Sequence, residues 1–166
     1  MTTPTVLTVC LGNICRSPTA EAAIREAADA AGVAVEVRSA GTGGWHVGAP
    51  PDPRQRAAGA AAGLAIAGAA AQLTAQQVRT ADRVLVMDRA NLRDVRELAR
   101  REGIADDHVH LLRAYDPRSV AADELEVPDP YTGGPAGFDH VVSLCRAAAG
   151  EVVAALDGRR THPPRA

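Results

Sequence analysis

The 166-residue chain predicts an α/β fold: a single three-layer domain, a four-stranded parallel sheet with helices on both faces, and a phosphate-binding loop after the first strand. Three observations predict it. Short β-branched apolar runs alternate with longer helical stretches, the pattern of a parallel sheet wound with helices. No linker or internal repeat divides the chain. The segment after the first apolar run combines Gly, Asn, Cys and Arg just before a helix, a composition suited to an anion-binding turn.

The elements follow in order. Val6 to Val9, ending at Cys10, reads as a buried strand. Ser17-Pro18-Thr19 opens an Ala-rich helix over Ala20 to Ala31, with Ser17 as cap, Pro18 in the first turn and Gly32 as the stop. Val33 to Val37 is the second strand candidate. Gly41 to Pro53 is a Gly- and Pro-rich loop, followed by a helix from about Pro53 to Gly63. Arg83 to Met87 is a third strand, closed by Asp88. Asn91 to Arg101 reads as a helix, with Leu92, Val95 and Leu98 on one face. His108 to Leu112 is a fourth strand, and Ala114 to Gly134 a long loop, a length that is usually functional. A last helix runs from about Pro135 to Leu156, with Phe138, Val141, Val142, Cys145, Val152 and Leu156 on its apolar side. The domain is expected over residues 1–157, with 158–166 as a frayed tail.

Composition excludes several classes. Hydrophobic residues make up 46% and charged residues 23%, ordinary for a folded soluble domain. No apolar run approaches the roughly 20 residues of a membrane span, and the N-terminus lacks the basic start of a signal peptide. No membrane association is expected, and the expected compartment is the cytoplasm. The net charge is −2, and all 18 basic residues are Arg, scattered among Asp and Glu. Without a basic stripe, nucleic acid is not an expected partner. The three cysteines, Cys10, Cys15 and Cys145, form an odd count that does not suggest a disulfide framework. No cofactor and no metal are expected.

The chemistry concentrates in Cys10-Leu11-Gly12-Asn13-Ile14-Cys15-Arg16-Ser17, between a strand and a helix. A loop there can turn its backbone N–H groups inward as an anion nest, reinforced by the helix start. Gly12 permits close backbone approach, and Asn13 tolerates a left-handed conformation. Arg16 offers a bidentate fork suited to phosphate. The same positive surroundings favour a thiolate at Cys10. The plain alternative is a buried core cysteine and a surface arginine. Aromatic residues are scarce, at 2%, yet Trp45 and Tyr131 both fall in loops, a placement that favours ligand contact.

The stretch Val9 to Glu21 resembles the active-site loop of the low-molecular-weight protein tyrosine phosphatases, in particular the bacterial members. The resemblance continues through Ser39-Ala40-Gly41-Thr42 with Trp45, Gly48 and Asp52-Pro53-Arg54, through Asp82 to Asp88 with Asn91-Leu92, and through Val127-Pro128-Asp129-Pro130-Tyr131. It implies a phosphotyrosine phosphatase working through a cysteinyl-phosphate. Cys10 would attack phosphorus, and Arg16 with the amides of Leu11, Gly12, Asn13, Ile14, Cys15 and Ser17 would hold its oxygens. Asp129 would protonate the leaving phenol and then activate water. Asn13, Ser17 and Ser39 would brace the loop, with Ser17 bonded to the Cys10 thiolate. Trp45 and Tyr131 would wall the cleft, and Cys15 would protect Cys10 against oxidation as its disulfide partner. The implied partners are tyrosine-phosphorylated proteins, with inorganic phosphate and other oxyanions as inhibitors, and the implied state is a monomer. One departure is Gly68, at the place where relatives often carry a loop-bracing His, which implies a thinner bracing network.

Three other readings compete. Arsenate reductases share the loop but need a pair of resolving cysteines after the third strand, and no cysteine lies between Cys15 and Cys145. Cys145 is expected on the packed face of the last helix, out of reach of the loop. Protein-arginine phosphatases typically place Thr where Ile14 stands; a branched apolar side chain should crowd a guanidinium phosphate. A non-catalytic phosphate-binding module would lack nucleophile or acid, and both Cys10 and Asp129 are present.

Overall fold

A computed structural model describes residues 2–158; the expected tail lies outside the described residues from 159 onward. The strands are β1 (Thr5–Cys10), β2 (Glu36–Gly41), β3 (Arg83–Val86) and β4 (Val109–Leu111). The α-helices are α1 (Arg16–Ala31), α2 (Pro53–Ala61), α3 (Ala75–Thr80), α4 (Arg89–Arg101), α5 (Pro117–Ala122) and α6 (Pro135–Leu156). All strand pairs are parallel, in the order β2-β1-β3-β4, as the alternating pattern predicts.

Alternation along the strands divides the core in two. Val6, Cys10, Leu85 and Met87 pack with the buried stripes of α1 and α6 and with Ala58 of α2. Leu7, Val9, Val84 and Val86 pack on the other face with Val78 of α3 and with Val95 and Ala99 of α4. On α6 the buried residues Phe138, Val141, Val142, Cys145, Ala148, Ala149, Val152 and Val153 recur at helical spacing. Its bounds match the sequence reading. Leu156, placed on that stripe, is only partly buried.

Three expectations change. The second strand begins at Glu36, not Val33, because pairing with β1 runs from Thr5↔Glu36 to Cys10↔Gly41. Val33 instead closes the end of α1, donating its N–H to Ala28 O at 2.9 Å beyond a left-handed Gly32. Ser17 is no helix cap: α1 already starts at Arg16, and its N-cap residue Cys15 makes no side-chain capping bond. The long loop contains structure, a 3-10 turn at Leu112–Tyr115 and then α5, capped by Asp116 with Pro117 in its first turn. A helix that was not anticipated, α3, is started by a capping box between Thr74 and Gln77.

The chain enters the sheet in the middle and is wound outward on both sides. Ligand crevices in such sheets form beyond the carboxyl ends of the strands, where the winding reverses. Here that point lies between the ends of β1 and β3, at Cys10 and Asp88.

Candidate active site

After β1 the chain must turn sharply from strand into helix. Asn13 makes this possible at φ 56°, the left-handed region that Asn tolerates. At Gly12 a Cβ would stand 3.0 Å from His46 Cδ2, so glycine lets the loop and the His46 ring meet. A cleft of about 180 Å³ results, lined by Cys10, Leu11, Gly12, Ile14, Cys15, Arg16, Trp45, His46, Asp129 and Tyr131. Cys10 lies at its floor, only 3% exposed.

Asn13, Ser17 and Ser39 stand outside this lining and brace the loop from behind. Asn13 Nδ2 donates to Ser17 Oγ at 2.7 Å and to Ser39 Oγ at 3.0 Å. Asn13 Oδ1 accepts from Ala71 N–H at 2.9 Å. Ser17 Oγ in turn lies 3.0 Å from Cys10 Sγ. The backbone of residues 67–71 therefore reaches the loop through Ala71, while Gly68, at φ 112°, offers no side chain.

Arg16 is buried and reaches two carboxylates. Its Nη1 donates to Asp88 Oδ2 at 2.6 Å and to Val127 O at 3.1 Å, and its Nη2 lies 3.7 Å from Asp129 Oδ2. Burial opposes the guanidinium charge, but Cys10 and the hydrogen-bonded Asp88 outweigh it, and the pKa stands above its ordinary value. Asp88 also caps α4 by accepting from Asn91 N–H at 2.7 Å. It is a site residue that the sequence reading placed on the functional rim without a task. His46 was missed altogether; its position next to Trp45 was the available signal. The ring centroids of His46 and Tyr131 are 6.4 Å apart across the cleft.

Asp129 comes from the loop after α5, and its side chain is 48% exposed. Its Oδ1 accepts from Tyr131 N–H at 3.1 Å, which orients the carboxylate within the loop. The base of this loop is pinned to the sheet, where Val127 N–H donates to Met87 O at 2.7 Å. Leu11, Trp45, Val47 and Tyr131 are exposed large apolar side chains, and all but Val47 line the mouth of the cleft.

The other two cysteines are buried as well. Burial, then the charges of Asp52, Cys10 and Asp129, pushes the Cys15 thiol up to about 12. Cys145 is fully buried, as expected, and burial pushes its thiol up to about 12 as well. It lies on the packed face of α6, in the same extended hydrophobic cluster as Cys10 and Cys15. Among the described residues, no group of three His, Cys, Asp or Glu is placed to hold a metal ion, and no helix is long and apolar enough to cross a membrane.

A family model described as low molecular weight phosphotyrosine protein phosphatase matches residues 5–161. A low molecular weight protein-tyrosine-phosphatase of Streptomyces coelicolor is 45% identical over 150 residues, which are 89% of this chain and 90% of that protein. The solved protein tyrosine phosphatase of Entamoeba histolytica, with Hepes in its active site, aligns at a TM-score of 0.86 and 26% identity over 95% of this chain and 99% of that one. The YwlE arginine phosphatase of Bacillus subtilis, solved as a mutant with a phosphorylated active-site serine, aligns at 0.79 and 26% identity over 95% and 98% of the two chains.

Proposed function

From its membership in the low molecular weight phosphotyrosine protein phosphatase family, we propose that the chain hydrolyses phosphotyrosine in proteins through a cysteinyl-phosphate on Cys10. The observation that carries this reading is convergence: thiol, guanidinium and carboxylate from positions 10, 16 and 129 line one small cleft. In the first step the Cys10 thiolate attacks phosphorus, and the ester oxygen leaves with the proton of Asp129. In the second, Asp129 takes a proton from water as the water oxygen attacks phosphorus, releasing phosphate and the thiolate. Arg16 and the inward loop amides hold the equatorial oxygens through both displacements, where charge stabilisation does most of the work. Ser17 Oγ, 3.0 Å from Cys10 Sγ, supports the thiolate as nucleophile and as leaving group. Trp45 and Tyr131 receive the aryl ring, and tyrosine-phosphorylated proteins are the partners. The chain works in the cytoplasm as a monomer.

A phosphoarginine substrate is the second reading, favoured by the likeness to the YwlE arginine phosphatase. Ile14 weighs against it. Its branched apolar side chain lines the cleft, where it would crowd a guanidinium phosphate. Rates on a phosphotyrosyl peptide, p-nitrophenyl phosphate and phosphoarginine, with arsenate reduction as a fourth assay, decide among the readings. Turnover of the two aryl esters, abolished in Cys10→Ser, is expected. Preference for phosphoarginine, or no turnover of any ester, overturns the proposal.

A further inference from the structure

The geometry points to Arg54 as a positioning residue that holds the general-acid loop over the phosphate loop; this rests on the function proposed above. Arg54 touches neither Cys10 nor Arg16, and the sequence reading gave it no task.

All three of its nitrogens are engaged. Nε donates to Asp52 Oδ1 at 3.0 Å, Nη2 to Asp52 Oδ2 at 2.8 Å, and Nη1 to Tyr131 O at 3.0 Å. Its guanidinium carbon stands 4.6 Å from the centroid of the Phe138 ring and 5.3 Å from that of Tyr131. The two anchored ends are the two halves of the site. Asp52 is buried, and its N–H donates to Ile14 O in the phosphate loop at 2.8 Å. Tyr131 N–H donates to Asp129 Oδ1 at 3.1 Å. The path Ile14–Asp52–Arg54–Tyr131–Asp129 thus ties nucleophile loop to acid through consecutive hydrogen bonds.

The acid loop needs such a tie. Its base is fixed at Val127, bonded to Met87 and Arg16. Beyond it, residues 128–134 belong to no helix or strand, and Asp129 and Tyr131 are about half exposed. Arg54 supplies a second point of attachment on the far side of Asp129. A planar fork can satisfy a carboxylate with one edge and a carbonyl with a third N–H, which a lysine ammonium cannot reproduce.

The test compares kcat/KM for phenyl phosphate, a poor leaving group, with that for p-nitrophenyl phosphate. A misplacement of about 1 Å can cost about 10²-fold. Arg54→Ala should therefore lose about 10- to 100-fold on phenyl phosphate and much less on p-nitrophenyl phosphate, with vanadate affinity unchanged. Adding Arg54→Ala to Asp129→Asn should cost little more, because both act through one proton transfer. Arg54→Lys, which keeps the charge near Asp52, should show the same leaving-group bias and carries the comparison if Arg54→Ala does not fold. Equal losses on both esters, or additive losses in the double variant, overturn the role of Arg54 alone. A wild-type chain inactive on both esters overturns the phosphatase reading, and the clamp with it.

Discussion

Cys10 and Cys15 sit five positions apart in one loop and line the same cleft, yet their surroundings divide them. The Cys15 thiol, pushed up to about 12, stays protonated at neutral pH and is not the first group to meet peroxide. If Cys10 is the group oxidised, its sulfenic acid would condense with the Cys15 thiol, forming a disulfide and releasing water. Peroxide is therefore expected to inactivate the protein reversibly, with dithiothreitol restoring activity and a Cys10–Cys15 bridge found by mass spectrometry. In Cys15→Ser the same treatment should become largely irreversible. Cys145 is fully buried on the packed face of α6 and is expected to take no part. A Cys10–Cys145 bridge, or full recovery of Cys15→Ser, would assign protection to the wrong residue.

The loops around the cleft hold their shape through carboxylates at helix starts. Asp52 caps α2 by accepting from Arg54 N–H at 2.8 Å, and its side-chain bond to Arg54 holds its carboxyl below the ordinary range, against the opposing effect of burial. A carboxyl with a lowered folded pKa stabilises the fold fully above its unfolded value, about 3.9, and loses that contribution as pH falls through the folded value. Asp52→Ala should cost about 1 kcal/mol at pH 7. Urea titration should show the gap to wild type narrowing below about pH 4; a gap independent of pH means that the charge of Asp52 contributes nothing. The acid loop invites a different measurement. Asp129→Asn should lose roughly 10²–10⁴ in rate on an ester whose phenol has a high pKa, and less on one that leaves without a proton. Equal losses on both make Asp129 a turn residue only. The helix starts were partly legible in advance. Asp88 was seen as the end of a strand, Asp116 with Pro117 carries a start signal that the long-loop reading concealed, and Thr74 with Gln77 forms a capping box in a segment given no element.

The oxyanion site is assembled only in the folded chain, so ligand binding and stability are linked. Arg16 is buried beside Asp88, and an oxyanion held by the loop adds partners that the unfolded chain lacks. A ligand at 100 times its Kd stabilises by about 2.7 kcal/mol. Vanadate or phosphate should raise the Tm of the wild type and of Cys10→Ser, whose loop donors are intact, and should leave Arg16→Ala unmoved. An equal shift in all three places the bound oxyanion outside this cleft.

What could be read from the chain was whatever near neighbours settle. The phosphate loop, left-handed Asn13, the Gly32 stop and the bounds of α6 depend on contacts within a few positions, where backbone sterics and helical spacing decide. The resemblance added Asp129, Ser39 and Trp45 from blocks elsewhere in the chain. Packing alone decided the rest. The start of β2 followed from its register against β1, since the alternating Val33, Val35 and Val37 mark no boundary by themselves. Asp88 and Arg54 acquired their tasks through hydrogen bonds that span 72 and 77 residues. Such contacts depend on how whole elements stack around the sheet, a relation among distant segments that no local pattern encodes.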